Sequence, residues 1–255
     1  MRNFAKTLII ALALTAPAAA RDGMPDGFVY LRDIAPGIAQ DMRYASSDNF
    51  TGRPLPGYDA GECVLRREVA EALAQVQADL AKSNLGLKMY DCYRPKRAVA
   101  AMAHWAQDGQ KDGKDDGASK RFHPALDKRM LFGLGYIAAK SKHSTGSAVD
   151  VTLIELPPAP APPFDPAARY GSCTGPAEQR APDNSLDMGT GFDCFDPKSN
   201  TSSAAIAAEQ RRARATLLLA MRAHGFHNYF REWWHFTFGG QRPAAAADFS
   251  IVPRP

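Results

Sequence analysis

The chain has 255 residues, enough for one sizeable hydrophobic core, and no composition shift along it marks a second domain. With 45% hydrophobic and 23% charged residues it lies outside the range of disordered chains. Its formal net charge of +4 is too small to form the electrostatic footprint of a nucleic-acid or anionic-lipid binder.

Residues 1–20 read as a secretory signal. Arg2 and Lys6 give a positive start, residues 8–14 an apolar run, and Ala18-Ala19-Ala20 an A-x-A cleavage site. The run is too short to span a bilayer and no stop-transfer pattern follows, so no membrane anchor is expected to remain after cleavage. Cleavage after Ala20 removes both cations, lowers the charge from +4 to +2, and leaves residues 21–255 as a single domain. Export to the periplasm or the medium makes Cys63, Cys92, Cys173 and Cys194 candidates for two disulfides. Three connectivities are open, and the nearest-in-sequence pairing is preferred. Closing the second of those loops would stabilise by about 3 kcal/mol on the chain-entropy account. A cysteine metal site is disfavoured, because no C-x-x-C pair is present.

Residues 28–42 alternate loosely and predict short strands, and 49–58 (NFTGRPLPGY) form a loop punctuated by Gly and Pro. Leu65, Val69, Leu73, Val76 and Leu80 fall at helical spacing, predicting an amphipathic helix over 65–82 that ends at Asn84 and Gly86. A strand follows at 87–90, then a second helix after Pro95 with Val99, Met102 and Trp105 on one face. Residues 108–120 are polar and Gly-rich, an exposed loop with solvated charges. Residues 156–166 carry six prolines and cannot be a central strand or a helix interior. They open an inserted surface excursion over about 156–185. An Ala-, Leu- and Arg-rich helix is predicted over 204–223, stopped near Gly225, with aromatic strands returning over 226–238.

Two segments hold chemistry: SKHSTGSAVD at 141–150 and EWWH at 232–235. A catalytic zinc site wants three His, Asp or Glu ligands and an open position for water, and His143, Asp150 and His235 supply such a set. Seven residues apart in one regular strand, His143 and Asp150 would face opposite ways. The chain must therefore turn between them, and Gly146 is placed to allow it. Glu232 and His235 would also lie on opposite faces of a strand, so a bulge or turn is required there. The apolar, β-branched VTLIEL that follows Asp150 puts this carboxylate at the head of a buried strand. The remaining histidines, His104, His123, His224 and His227, read as structural. Trp233 and Trp234 read as packing and pocket wall.

SKHSTGSAVDVTL resembles the S-x-H-x-x-G-x-A-x-D signature of the zinc D-alanyl-D-alanine dipeptidases and their D,D-carboxypeptidase relatives, and EWWH resembles their second signature. RYASSDNFTG at 43–52, DCYRP at 91–95 and LDMGTGFDCF at 186–195 resemble the dipeptidase branch, so that the likeness covers most of 28–238 in order. The resemblance implies an α+β fold, a small mostly antiparallel sheet with packed helices. It also implies one zinc per chain on His143, Asp150 and His235, with Glu232 as catalytic base and Arg94 as the cation facing the transition state. A dipeptidase must hold a free ammonium and a free carboxylate with buried counter-groups. Asp187 is the candidate for the ammonium, with Tyr44 and Ser141 adding hydrogen bonds, Ser141 near the carboxylate end.

The expected activity is hydrolysis of D-alanyl-D-alanine or a close relative outside the cytoplasm. The competing readings are a carboxypeptidase or endopeptidase acting on longer wall peptides, and a non-catalytic zinc or peptide-binding module. The presence of both Glu232 and Arg94 argues against the module. The chain departs from the family pattern in its Pro-rich stretch and in the cysteines that flank the LDMGT segment.

Overall fold

The computed structural model describes residues 23–107, 120–239 and 245–254. The signal segment and nearly all of the polar 108–120 loop lie outside them. Among the described residues seven strands form: β1 (Phe28–Tyr30), β2 (Ala39–Gln40), β3 (Val64–Arg66), β4 (Leu85–Asp91), β5 (Ala148–Glu155), β6 (Phe226–Asn228) and β7 (His235–Phe238). Five of them make a sheet in the order β2-β4-β5-β7-β6, antiparallel throughout except for the β2–β4 pair. β1 and β3 pair separately as an antiparallel ribbon. The helices are α1 (Leu31–Ile34), α2 (Arg67–Ala81), α3 (Lys96–Gln107), α4 (Met130–Gly133) and α5 (Ala208–Ala223). The organisation is α+β, as expected.

β5 is buried on both faces along all but its last residue, which is why its sequence runs apolar rather than alternating. Its neighbour β4 is nearly as buried, and Leu87, Met89, Val151, Leu153 and Phe236 are inaccessible at the centre of the sheet. Each such side chain stabilises by about 1.5–3 kcal/mol relative to exposure. α2 turns Val69, Leu73, Val76 and Leu80 inward, as its spacing predicted. It begins at Arg67 and not at 65, because Leu65 pairs with Val29 in the ribbon and is buried there. Asn84, at φ 56°, ends the helical segment, and Gly86 is already inside β4.

The Pro-rich stretch 156–166 carries no helix or strand and lies over the surface. Arg121 holds it, its guanidinium 5.1 Å from the Phe164 ring and 5.5 Å from that of Tyr170. Both disulfides follow the nearest-in-sequence pairing, Cys63–Cys92 and Cys173–Cys194. The first ties the segment leading into β3 to the residue after β4; the second ties the excursion to residues 186–195. Among the described residues, no helix is long and apolar enough to cross a membrane.

Candidate metal centre and active site

Strand register builds the site. Asp150 sits opposite Asp91 of β4 on one side and His235 of β7 on the other, so three strands bring these polar side chains into one row. His143 arrives from outside the sheet. It lies in a 3-10 turn, Lys142–Thr145, whose first N–H groups are capped when Ser141 Oγ accepts from the His143 N–H at 3.2 Å. Gly146 closes the turn at φ 74°, and a Cβ there would come within 2.3 Å of the Phe28 ring. The turn required between His143 and Asp150 therefore exists, and only glycine fits it.

The His143 ring is oriented from behind. Its Nδ1–H donates to the Cys92 carbonyl at 2.7 Å, which leaves Nε2 as a lone pair in the neutral ring. That lone pair faces Asp150 Oδ1 at 3.3 Å and His235 Nδ1 at 3.1 Å, and the third edge, His235 to Asp150, is 3.0 Å. A cation placed between these donor atoms would satisfy all three of them at once. Ligand bonds of about 2.0–2.2 Å around a tetrahedral zinc separate neighbouring donor atoms by roughly 3.3 Å. The His143, Asp150 and His235 atoms fit that ion in type, number and spacing.

Glu232 and Arg94 complete the surroundings. The turn foreseen before His235 is real: Glu232 N–H donates to Tyr229 O, His235 N–H donates to Glu232 O, and the Asn228 amide donates to both Glu232 O and His235 O. This carries the Glu232 carboxylate to 3.9 Å from His235 Nδ1. Burial, then the Asp150 charge, push the Glu232 carboxyl up to about 8, and a divalent ion held by the triad would draw it back down.

Arg94 follows the Cys63–Cys92 bridge, and its guanidinium contacts Asp91 Oδ2 through Nε at 2.9 Å and Nη2 at 2.8 Å, and Asp150 Oδ2 at 3.4 Å. It lies 4.8 Å over the Tyr44 ring. Burial opposes its charge, but the facing Tyr44, Asp91, Tyr58 and Asp150 groups keep it protonated.

His143, Asp150, His235, Glu232, Arg94, Tyr44 and Ser141 all line one cavity of about 330 Å³. Asp187 does not. Its carboxylate accepts from Arg180, from Gln210 and from the Gly189 N–H, and it borders a different cavity. The expectation for Asp187 is corrected: Asp before Met-Gly here makes an Asx turn and a surface ion pair.

The acid that enters the metal cavity is Asp193, six residues further on and 5% exposed. Tyr44 Oη donates to it at 2.7 Å. Its φ of 54° is left-handed, which Asp tolerates at some cost. Burial, then the nearby Asp150 charge, raise its carboxyl well above the usual range. Arg214 fixes the loop from behind, donating to the carbonyls of Met188, Lys198 and Asn200.

Two more residues escaped the sequence reading. Asp91 is inaccessible and, besides holding Arg94, accepts from Tyr58 Oη at 2.6 Å and sits 3.2 Å from His143 Nδ1. It positions both a ligand and the cation. The DCYRP segment contains it, but nothing in spacing ties it to Tyr58, which is 33 residues away. Of the histidines read as structural, none lines the metal cavity. His123 packs on Trp105, and His224 pairs with Asp79 at the surface.

The family model described as D-ala-D-ala dipeptidase matches residues 24–158 and 179–253, and its interruption falls within the Pro-rich excursion. A D-alanyl-D-alanine dipeptidase of Enterococcus faecium is 32% identical over 229 residues, covering 89% of this chain and all of the relative. One of Streptomyces coelicolor is 33% identical over 231 residues, covering 90% of this chain and all of the relative. One of Escherichia coli is 28% identical over 89% of this chain and 93% of its own. The chain belongs to the D-ala-D-ala dipeptidase family.

Proposed function

We propose that the protein is an exported zinc dipeptidase that hydrolyses D-alanyl-D-alanine, or a dipeptide closely like it, to free amino acids. The observation that carries this reading is the convergence of His143, Asp150 and His235 with Glu232, Arg94 and Asp193 in one cavity. Zinc, when bound, supplies a Lewis acid for the scissile carbonyl and lowers the pKa of water to about 7.

The chain's own groups perform the rest. Glu232 takes a proton from the attacking water as the new C–O bond forms, and returns it to the amine as the C–N bond breaks. The carboxylate stands 3.9 Å from His235 Nδ1, beside the position the ion would take, and the charge of that ion would favour its ionised, proton-accepting form. Arg94, fixed by Asp91, offers N–H donors to the oxyanion that develops on the carbonyl, a contribution of about 3–4 kcal/mol for donors of this kind. Asp193 is the counter-charge for the substrate ammonium: its proton is held on by burial and by Asp150, and an arriving cation favours its ionised form. Tyr44 orients it, and Ser141 is available to the carboxylate end. A longer wall peptide has no free ammonium for Asp193, which favours the dipeptide. Residues 1–20 and the two disulfides support export to an oxidising compartment.

The test is Glu232→Ala. It should retain about one zinc per chain by metal analysis while hydrolysis of D-alanyl-D-alanine falls by about two to four orders of magnitude. Substantial residual turnover in a zinc-replete variant contradicts the assignment.

A further inference from the structure

A second cavity, of about 90 Å³, shares no lining residue with the metal cavity. The aromatic pair at 233–234 divides them, Trp233 bordering the second cavity and Trp234 the first. Phe192, beside Asp193, forms part of its wall and stacks on Tyr90 at 4.6 Å.

Its polar groups are unbalanced in one direction. Every carboxylate on its lining is already served. Asp48 accepts from Arg43 and Arg121; Asp183 accepts from Arg43, Lys88 and Tyr90; Asp187 accepts from Arg180, Gln210 and Gly189. The donors are not. Arg121 and Arg180 both line the cavity, and Nε of each is buried with no acceptor among the described residues. Native proteins rarely leave buried donors so, and two arginines at one cavity call for an acceptor. Phe122, Leu186, Phe192 and Trp233 supply the apolar part of the wall.

We propose that this cavity is a binding site for a small monocarboxylate with a compact apolar body of three or four carbons. The surplus of donors selects an anion over a cation. The two unpartnered Nε–H groups, one from each arginine, can each donate to one oxygen of a carboxylate. The size follows from the volume: one water-sized group takes about 15 Å³ of such space, so roughly six non-hydrogen atoms fit. The mouth is at the excursion, where Ala177 is exposed and the Asp187 side chain is 35% accessible. The site is independent of the catalytic reading, since it uses neither the metal triad nor Arg94.

The experiment is calorimetric titration of sodium propionate into the zinc-loaded full-length mature protein, with propylammonium chloride at matched ionic strength as control. Saturable propionate binding is expected with Kd on the order of 1 mM, and none for propylammonium. Arg180→Met removes one donor, and Ala181→Leu fills the cavity while leaving both arginines. Each should weaken propionate binding about tenfold or more with the thermal transition retained. Absence of saturable binding in the wild type, equal binding of propylammonium, or undiminished binding in Ala181→Leu overturns the proposal. Undiminished binding in Arg180→Met does the same, because the carboxylate would then sit elsewhere, the metal cavity included.

Discussion

Asp193→Asn isolates the part of the mechanism that makes the enzyme a dipeptidase. Asn keeps the shape, accepts from Tyr44 as Asp does, and tolerates φ near +54°, so the loop has no reason to move. What is lost is the negative charge that an ammonium would meet in a nearly inaccessible pocket. Breaking a buried, hydrogen-bonded charge pair costs about 2–5 kcal/mol, and the retained geometry puts this case near 2–3, a fall of roughly 30- to 150-fold in kcat/KM. Stability should move the other way. The folded carboxyl titrates well above the unfolded one, at about 3.9, so Asp193 weakens the fold progressively as pH rises past that value. Asn removes that penalty, and the thermal transition at pH 7 should be unchanged or higher. The assay is steady-state hydrolysis of D-alanyl-D-alanine and of its N-acetylated form by both proteins. The acetylated substrate has no ammonium to lose, so its already low rate should change by less than about threefold. An equal fall for both substrates, or less than about a fivefold fall for the free dipeptide, refutes the role of Asp193.

Removing Asp91 by Ala should destabilise the protein by about 3–5 kcal/mol in denaturant unfolding, because it strands the buried Arg94 charge and frees the His143 ring. Gly146→Ala forces a Cβ against Phe28 at a left-handed φ, and an equilibrium melt should register a loss of about 2–3 kcal/mol with weakened zinc retention. Replacing both Cys173 and Cys194 by Ser opens a loop with a sequence separation of 21 and should cost about 3 kcal/mol, with KM rising because Cys194 adjoins Asp193. A reductant that opens this bridge should produce the same KM change in the wild type. The His143, Asp150 and His235 donor atoms face one another at close range, so adding zinc to metal-stripped protein should raise the calorimetric transition by roughly 10 °C.

Much of this was legible in the sequence because it is local. The helical spacing of Val69 to Leu80, the proline that opens α3 and the β-branched run after Asp150 each report a period or a cap. The triad was legible through short motifs whose residue types match zinc chemistry. The start of α2 was misplaced because Leu65 is apolar for two reasons, helical spacing and ribbon pairing, and tertiary contact decided between them. Asp187 and Asp193 lie in one irregular segment, where no period says which side chain points inward. The available signal was the neighbouring Cys194, whose bridge to Cys173 pins the chain beside Asp193. Asp91 and Tyr58 were invisible as a pair, since a contact between a strand end and a loop 33 residues away leaves no trace in spacing.

The proposed need for zinc and for a free ammonium next to the scissile bond can be tested together. The most direct measurement compares D-alanyl-D-alanine with N-acetyl-D-alanyl-D-alanine on metal-stripped protein and on the same protein reloaded with one zinc per chain. Turnover of the free dipeptide should be absent without metal and restored by zinc, with the acetylated form slower by roughly two orders of magnitude, as expected when a buried counter-charge has nothing to meet. Equal rates for the two substrates, or full activity without metal, would contradict it.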